Sequence, residues 1–344
     1  MSVSRREFLA SSAAALAAGS AVAAEEEGVA FCVIGDTHFL ADAERTGELT
    51  ADSARTNRGL IDTLNALPGG EVAAAAGGGK VRTLRGVIHA GDVIDSGDKA
   101  SGTFGARQET EWNGFVREFG LTGGDGRLKT PVYEVHGNHD SPQGAGLVLD
   151  GIRERNKTRP GVKARSADGL HYSWDWGPAH FINLGIVVGS SGVTKRKRRY
   201  NPLDSLDFLI ADLKEHRDRP IVITHHVDMA RYTGACDPAG EPTSKEWDPC
   251  DVRAYYEAIE KHRVAAIFYG HTHARNVFRW DGAGTKGERG IPVFNVDNSA
   301  HFASDSQAFF YVELSPERVL VRELATKNRW AESSWTPQAW SATF

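Results

Sequence analysis

Short apolar runs alternate with amphipathic stretches along the first half of the chain. Residues 29–34 are continuously apolar, as in a strand buried on both faces. Residues 53–67 carry apolar side chains at helical spacing and end at Pro68-Gly69-Gly70. A strand at 86–90, a helix near 108–119 and a strand at 131–136 follow. This order predicts a parallel sheet with right-handed crossovers.

The second half shows a similar alternation and predicts a second sheet. It opens with a hairpin pattern, because two alternating runs flank a Trp-Gly-Pro turn. The predicted elements are strands at 170–174 and 180–184, a helix at 202–216, a strand at 221–224, a helix at 251–262, and strands at 264–269, 277–280, 291–296, 309–314 and 319–323. Residues 69–80, rich in Ala and Gly, predict a flexible surface loop.

Composition and charge are those of an ordinary globular protein. The 344 residues are 40% hydrophobic and 25% charged, with a net charge of -5. This balance carries no electrostatic footprint for nucleic acid, although a local basic patch can sit on an acidic protein. The strongest charge run is Lys195-Arg196-Lys197-Arg198-Arg199. Such runs are usually solvated loops, and the alternative is a cleft mouth that attracts an anionic substrate.

Chemically active side chains follow the predicted strands where each strand ends. Ligands of open α/β sheets gather outside the carboxyl ends of the strands, so we expect these side chains to converge. Carboxylates, imidazoles and an amide oxygen together suit manganese, iron or zinc. They are too many for one tetrahedral ion and fit two ions roughly 3.5–4 Å apart with a bridging carboxylate. The predicted ligands are Asp36, His38, Asp92, Asn138, His225, His271 and His273, and His139, Asp140 and His226 stand beside them in the sequence.

In this order, the motifs resemble the five motifs of the calcineurin-like metallophosphoesterases. They are Asp36-x-His38, Gly91-Asp92, Gly137-Asn138-His139-Asp140, His225 and Gly270-His271-x-His273, and they span most of the chain. The resemblance implies an α/β fold, a four-layer α/β/β/α sandwich with two mixed β-sheets. It also implies one ion held by Asp36, His38, Asp92 and His273, and a second held by Asp92, Asn138, His225 and His271.

The resemblance further implies a mechanism. A metal-held hydroxide attacks phosphorus, and His139, oriented by Asp140, steadies or protonates the leaving oxygen. Gly137 is expected to let the chain turn sharply off its strand. The sequence does not decide between His225 and His226. The usual family pattern favours His225 as the ligand, which would leave His226 facing the substrate.

Two further residues near the motifs leave alternatives open. Asp95 stands where purple acid phosphatases carry a tyrosine, which argues against a tyrosinate-bound ferric ion. We expect Asp95 to accept a hydrogen bond from a ligand histidine, to contact substrate, or to cap a turn. His301 is expected to be a structural residue, with the metal cleft as the alternative.

The predicted activity is hydrolysis of a small phosphoester. The sequence does not decide between a monoester substrate and a diester substrate such as a cyclic nucleotide or a glycerophosphodiester. A nuclease is an alternative that the acidic balance makes less favourable. A binding scaffold without catalysis is an alternative of another class, and the complete set of ligand residues argues against it.

The first residues predict an export signal. Ser4-Arg5-Arg6-Glu7-Phe8-Leu9 precedes an Ala-rich, weakly apolar run, which resembles a twin-arginine signal peptide. We expect a signal over residues 1–24, a phosphoesterase domain over 25–344, and export to the periplasm or beyond by the twin-arginine machinery. A cytosolic amphipathic leader and a single anchor helix are the alternatives. No other run reaches the ~18 apolar residues of a membrane helix, so no stable membrane partner is expected.

Three cysteines add one open question. Cys32 lies in the first apolar strand, as a small buried thiol does. Cys236 and Cys250 bracket a Gly/Pro-rich loop, and an exported protein permits a disulfide between them. The spacing alone does not decide whether that bond forms.

Overall fold

The computed structural model describes residues 28–99, 102–242 and 245–344, so the predicted signal peptide lies outside the described residues. The α-helices of these residues are α1 (Ala51–Ala66), α2 (Phe104–Phe119), α3 (Leu147–Asn156), α4 (Ser205–Glu215) and α5 (Pro249–Ile259). The strands are β1 (Val29–Ile34), β2 (Val87–His89), β3 (Val132–Glu134), β4 (Val162–Arg165), β5 (Tyr172–Trp176), β6 (Ala179–Asn183), β7 (Ile221–Thr224), β8 (Val264–Tyr269), β9 (Asn276–Trp280), β10 (Ile291–Asn295), β11 (Gln307–Leu314), β12 (Arg318–Thr326) and β13 (Ser334–Thr343).

The strands form two mixed sheets. The first sheet has the order β13-β12-β11-β1-β2-β3, and the second has the order β4-β5-β6-β7-β8-β10-β9. In the first sheet β1, β2 and β3 are parallel, while β11 pairs with β1 in antiparallel register. In the second sheet β6, β7, β8 and β10 are parallel. Within each of these two sets of parallel strands, the carboxyl ends of the strands lie at the same edge of the sheet, and loops follow them there.

Three apolar cores hold the layers together. One lies between the two sheets and contains Phe31, Trp174 and Phe268. A second joins the first sheet to α1, α2 and α3, and a third joins the second sheet to α4 and α5. Because side chains alternate along a strand, the central strands supply apolar residues to both of their faces. The predicted four-layer α/β/β/α sandwich with two mixed sheets is confirmed.

The structure adds elements that the hydrophobic pattern does not predict. β4 and the long edge strand β13 were not expected, and both carry many exposed side chains. Residues 69–80 form a short 3-10 helix at Ala74–Ala76, and an isolated bridge pairs Glu71 with Lys80. Among the described residues, no helix combines the length and apolar character that spanning a bilayer demands.

A buried ion cluster fixes the end of β3. Glu134 lies fully buried, 2.6 Å from Arg159 Nη2 and 2.7 Å from Arg155 Nε. Burial alone would raise the pKa of Glu134, but the two guanidinium groups hold that pKa well below its usual range. A buried charge with such partners is costly to move, because any shift leaves one of them unpaired. The cluster therefore anchors the strand that leads into Gly137-Asn138-His139-Asp140.

Candidate metal centre

A first cluster of ligand atoms forms where β1, β2 and β8 end. Asp36, His38, Asp92 and His273 each offer a ligand atom, and these atoms all lie within 4.8 Å of one another. His273 Nε2 is 3.3 Å from Asp36 Oδ1 and 3.2 Å from His38 Nε2. His38 Nε2 is 3.6 Å from Asp92 Oδ2. The structure thus brings together the four residues predicted for one ion.

A second cluster adjoins the first through Asp92. Asp92, His226 and His271 offer ligand atoms within 4.8 Å of one another. His226 Nε2 lies 3.1 Å from Asp92 Oδ2 and 3.2 Å from Asn138 Oδ1. The His226 Nδ1 donates to the Ala90 carbonyl oxygen at 2.7 Å, so Nε2 is the nitrogen that faces the cluster. Asp92 is 1% exposed and offers a ligand atom to both clusters.

The prediction that His225 joins this cluster is wrong. Its ring lies against Trp247, Tyr255 and Tyr269, with centroid distances of 5.4, 5.7 and 6.3 Å. Among the described residues, neither of its ring nitrogens has a hydrogen-bond partner. Burial lowers the pKa of His225 to about 3, so the ring is neutral.

The alternation of side chains along β7 explains which histidine reaches the metal ligands. Ile221 and Ile223 pack into the core under α4 and α5, and His225 continues that series. Val222 packs between the two sheets, and His226 continues that second series. Successive side chains of an extended chain point to opposite faces, so only one of the adjacent histidines can face the first sheet.

Backbone strain is concentrated on the predicted ligands. Asp36, His38, Asp92, His271 and His273 all have positive φ, with values of 54°, 41°, 54°, 73° and 50°. A residue other than glycine pays roughly 1–3 kcal/mol for such a conformation, and functional sites are where such strain gathers. The strain turns carboxylate and imidazole groups toward one another. The donor set and this convergence fit divalent metal ions, which would compensate for the crowding of ligand atoms.

The family of the chain follows from comparison with known proteins. The model of the calcineurin-like phosphoesterase family matches residues 29–275, which is most of the chain and includes every metal ligand predicted from the sequence. The chain belongs to the calcineurin-like phosphoesterase family. No curated protein matches its sequence significantly.

Solved structures resemble this family member at low identity. A dimetal phosphatase from Danio rerio has a TM-score of 0.49 and 15% identity, covering 90% of this chain and 98% of its own. GAP50, the anchor in the inner membrane complex of Plasmodium, has a TM-score of 0.46 and 11% identity, with 90% and 88% covered. Vacuolar protein sorting 29 from Cryptosporidium parvum has a TM-score of 0.35 and 12% identity, with 92% and 100% covered.

Two glycines of the phosphoesterase motifs are required by close packing. A Cβ atom at Gly137 would stand 2.2 Å from Asp92 Oδ1, and one at Gly270 would stand 2.5 Å from Asp36 Oδ2. Neither glycine has positive φ. Glycine is therefore needed at position 137 for space, and not for the sharp turn that the sequence suggested. The Asp92 carboxylate occupies the space that a side chain at position 137 would fill.

His139 borders the clusters, but its orientation does not come from Asp140. The His139 Nδ1 donates to the backbone carbonyl of Asp95 at 3.1 Å, and its backbone N–H donates to Asp92 Oδ1 at 2.8 Å. The Asp140 carboxylate accepts instead from the backbone N–H groups of Val93, Ile94 and Gly137. The prediction that Asp140 orients His139 is wrong. Asp140 ties the loop after β2 to the loop after β3.

Asp95 and His301 both lie beside His38. Asp95 Oδ1 is 3.3 Å from His38 Nδ1, and Lys99 Nζ is 2.9 Å from Asp95 Oδ2. Asp95 therefore has the position expected of an acceptor for a ligand histidine. The His301 ring centroid is 4.5 Å from that of His38 and 4.6 Å from that of His273. The structure places His301 at the cluster, where the sequence favoured a structural role.

Glu246 is a residue of the site that no motif of the sequence indicates. Its Oε1 lies 3.0 Å from His271 Nε2, and its carboxylate also pairs with Arg231. Glu246 belongs to the connection between β7 and α5, where Cys236 and Cys250 are joined by a disulfide. A carboxylate that holds one nitrogen of a histidine fixes which nitrogen is left for a metal. Glu246 has the geometry of such an orienting residue.

The basic run at 195–199 turns partly inward. Arg196 and Arg198 form ion pairs with Asp248 and Asp251, at the start of α5. Lys195, Lys197 and Arg199 remain exposed. Two of the five cations therefore hold α5 and its neighbouring loop in place. These two cations are therefore not available to attract an anionic substrate, as the alternative role for the whole run requires.

The electrostatics of the clusters favour the exchange of protons for cations. Burial alone would lower the pKa of His226, but the Asp92 and Asp36 carboxylates and the Ala90 carbonyl raise it to about 9. The pKa of His273 is also raised, because the Asp36 carboxylate outweighs burial. A proton on His226 compensates for the buried carboxylates beside it. Divalent ions and protons therefore compete for the same nitrogen atoms.

Proposed function

We propose that this protein is a metal-dependent hydrolase of phosphoesters that uses two divalent ions, with manganese, iron and zinc as the candidates. The observation that carries this proposal is the position of Asp92, whose carboxylate contacts ligand candidates of both clusters. Membership in the calcineurin-like phosphoesterase family supports metal-dependent phosphoester hydrolysis in general terms. The two adjoining clusters support the two-ion form of that chemistry.

The chain supplies all the ligands that the proposal requires. Asp36, His38, Asp92 and His273 would hold one ion, and Asp92, Asn138, His226 and His271 would hold the other. Bound divalent ions would polarise the phosphoryl oxygens and lower the pKa of water, so no side-chain nucleophile is needed. Glu246 and Asp95 would orient His271 and His38 through the ring nitrogens that they contact.

His139 is the proposed proton donor to the leaving oxygen. Its side chain is 32% exposed beside the clusters, so a substrate can approach it. The Asp95 carbonyl fixes Nδ1 as the protonated nitrogen, and Nε2 then faces the substrate. Burial lowers the pKa of His139, but the Asp92, Asp95 and Asp98 charges and the Asp95 carbonyl raise it overall. A raised pKa favours the protonated ring that a proton donor requires.

A metal-removal experiment tests the proposed hydrolysis. The protein, dialysed against a chelator and then supplied with manganese, zinc or iron, is assayed on p-nitrophenyl phosphate and bis(p-nitrophenyl) phosphate. We expect hydrolysis of at least one substrate to vanish on chelation and to return with metal. Two bound ions per chain without turnover of either substrate would contradict the proposed hydrolysis and favour a binding scaffold with this fold. The ratio of the two rates decides between monoester and diester.

A small phosphoester is the proposed substrate, in preference to nucleic acid. The chain has a net charge of -5, and two cations of its basic run are paired internally. Nucleic-acid binding relies on free cations along the contacted phosphates. A nuclease and a cyclic-nucleotide or glycerophosphodiester hydrolase remain alternatives within the same chemistry. Cleavage of oligonucleotides faster than of small esters would favour the nuclease.

We also propose that the protein is exported through the twin-arginine pathway. Arg5-Arg6 and the following Ala-rich run support this proposal. The Cys236 and Cys250 disulfide is a second support, because such bonds persist in oxidising compartments. Changing Arg5→Lys and Arg6→Lys together is expected to leave the protein in the cytoplasm, as measured by fractionation. Unchanged export of this double variant would contradict the proposal.

A further inference from the structure

A polar groove of about 770 Å³ opens beside the first metal cluster. It begins at His273, whose Nε2 lies 3.3 Å from Asp36 Oδ1. Its walls are the start of β11, the end of β12, the residues that lead into β13 and the start of β13. A phosphoester held at the metal cluster can therefore extend the rest of its structure into this groove. Neither of the predicted catalytic residues, His139 and Asp140, lines this groove.

The charges in the groove do not suit a second anion. The Arg275 guanidinium is 2.6 Å from Glu323 Oε2 and lies 5.5 Å from the centroid of the Trp340 ring. The positive charge of Arg275 is therefore already paired with Glu323. Asp297 and Glu332 add two carboxylates to the lining, and Lys327 adds one exposed cation. A second phosphate in the groove would meet more negative than free positive charge.

Asp297 is the group in the groove that is best placed to accept hydrogen bonds from hydroxyl groups of a ligand. Within the described residues, its carboxylate accepts from the Asn298 backbone N–H at 2.7 Å and from Asn298 Nδ2 at 3.2 Å, both through Oδ1. A carboxylate has about four acceptor positions, so Asp297 retains capacity for more donors. Burial raises the pKa of Asp297 to about 6, so most of the group is ionised at pH 7.5. Neighbouring hydroxyl groups on one ligand are suitable donors for it.

The rest of the lining matches a hydroxyl-rich group. Ser306, Ser334 and Thr336 supply hydroxyl groups that can both donate and accept. Trp335 adds an aromatic surface, and its indole N–H donates to the Glu71 carbonyl at 2.9 Å, which fixes the ring. An amphipathic ring beside hydroxyl groups suits a ligand with polar edges and a less polar face. Sugars and polyols have this character.

We propose that this groove binds the hydroxyl-rich organic group of the phosphoester substrate, a sugar or polyol, and that Asp297 accepts hydrogen bonds from its hydroxyl groups. The inference rests on the proposed hydrolysis, because the groove is placed relative to the metal cluster. A free sugar phosphate and a nucleoside monophosphate share the relevant chemistry, a pair of neighbouring hydroxyl groups.

The test compares substrates with and without those hydroxyl groups. Ribose 5-phosphate and uridine 5'-monophosphate carry the pair of hydroxyls, and p-nitrophenyl phosphate has none. For Asp297→Ala, we expect kcat/KM for ribose 5-phosphate to fall about tenfold relative to that for p-nitrophenyl phosphate, as the loss of a charged acceptor implies. Asp297→Asn, which keeps an acceptor oxygen, is expected to recover part of the ratio. Glu317→Ala removes an exposed carboxylate outside the groove and is the matched control.

A binding measurement separates failure of the groove from failure of the hydrolysis. Saturation-transfer NMR on the zinc-loaded protein with ribose, which has the hydroxyl pair and no ester bond to hydrolyse, is expected to show contacts that Asp297→Ala weakens. If p-nitrophenyl phosphate is hydrolysed while Asp297→Ala changes neither the ratio nor the NMR contacts, the groove proposal is overturned. If no ester is hydrolysed but the contacts are present, the proposed hydrolysis fails and the groove remains. In the unchanged protein, a higher kcat/KM for uridine 5'-monophosphate than for ribose 5-phosphate would identify a nucleoside as the source of the hydroxyl pair, and the reverse order would identify a sugar phosphate.

Discussion

Asp92→Ala is expected to abolish the binding of both divalent ions and to lower kcat/KM by at least about a thousandfold. The Asp92 carboxylate is 1% exposed and lies 3.1 Å from His226 Nε2 and 3.6 Å from His38 Nε2. Its Oδ1 also accepts the backbone N–H of His139. Bound ions are worth several kcal/mol of transition-state stabilisation, and each ~1.4 kcal/mol is a factor of ten in rate.

His139→Ala is the matched contrast, because it changes the proposed acid without changing a ligand. We expect this variant to keep both ions and to lose roughly a hundredfold to ten-thousandfold in kcat, the usual range for a positioned acid. Elemental analysis after dialysis and titration calorimetry with manganese would measure the ions. Circular dichroism would show that both variants are folded. Two ions retained by Asp92→Ala, or ions lost by His139→Ala, would contradict the assignment.

Much of the fold is predictable because its central strands are short and continuously apolar. The predicted strands at 29–34, 221–224 and 264–269 agree with β1, β7 and β8 at both ends. Two of the four edge strands, β4 and β13, are harder to predict. β4 alternates half-buried with exposed residues over only four positions, and β13 contains Pro337 and many polar side chains. Edge strands tolerate proline and charge, so their composition resembles that of loops.

The ligand positions are predictable because strand order and strand ends bring the motifs together. The finer contacts are not, because they depend on groups that a motif does not contain. Asp140 follows His139 directly, yet its carboxylate bonds to three backbone N–H groups from two loops. Glu246 and His301 reach the clusters from loops whose course no local pattern specifies. The groove beside His273 depends on β13 and the residues before it, which the hydrophobic pattern does not mark as structured.

The adjacent histidines after β7 provide the sharpest test of the structure against the sequence. His226→Phe is expected to lose the second ion and to lower kcat/KM by about a thousandfold, since that ion supplies several kcal/mol to the transition state. Phenylalanine keeps a ring of similar shape and removes both nitrogens, including the Nδ1 that donates to the Ala90 carbonyl. One ion, held by Asp36, His38, Asp92 and His273, is expected to remain.

His225→Phe is the control, and it differs from the test by one position in the chain. Both His225 nitrogens are buried without a partner among the described residues, in a pocket of aromatic rings. Removing them leaves no donor or acceptor unsatisfied, so the variant is expected to keep both ions and most of its rate. Metal stoichiometry and kcat/KM would be measured for both variants. If His225→Phe loses the ion and His226→Phe keeps it, the side-chain alternation along β7 must run the other way, with Val222 and not Ile223 facing the helices.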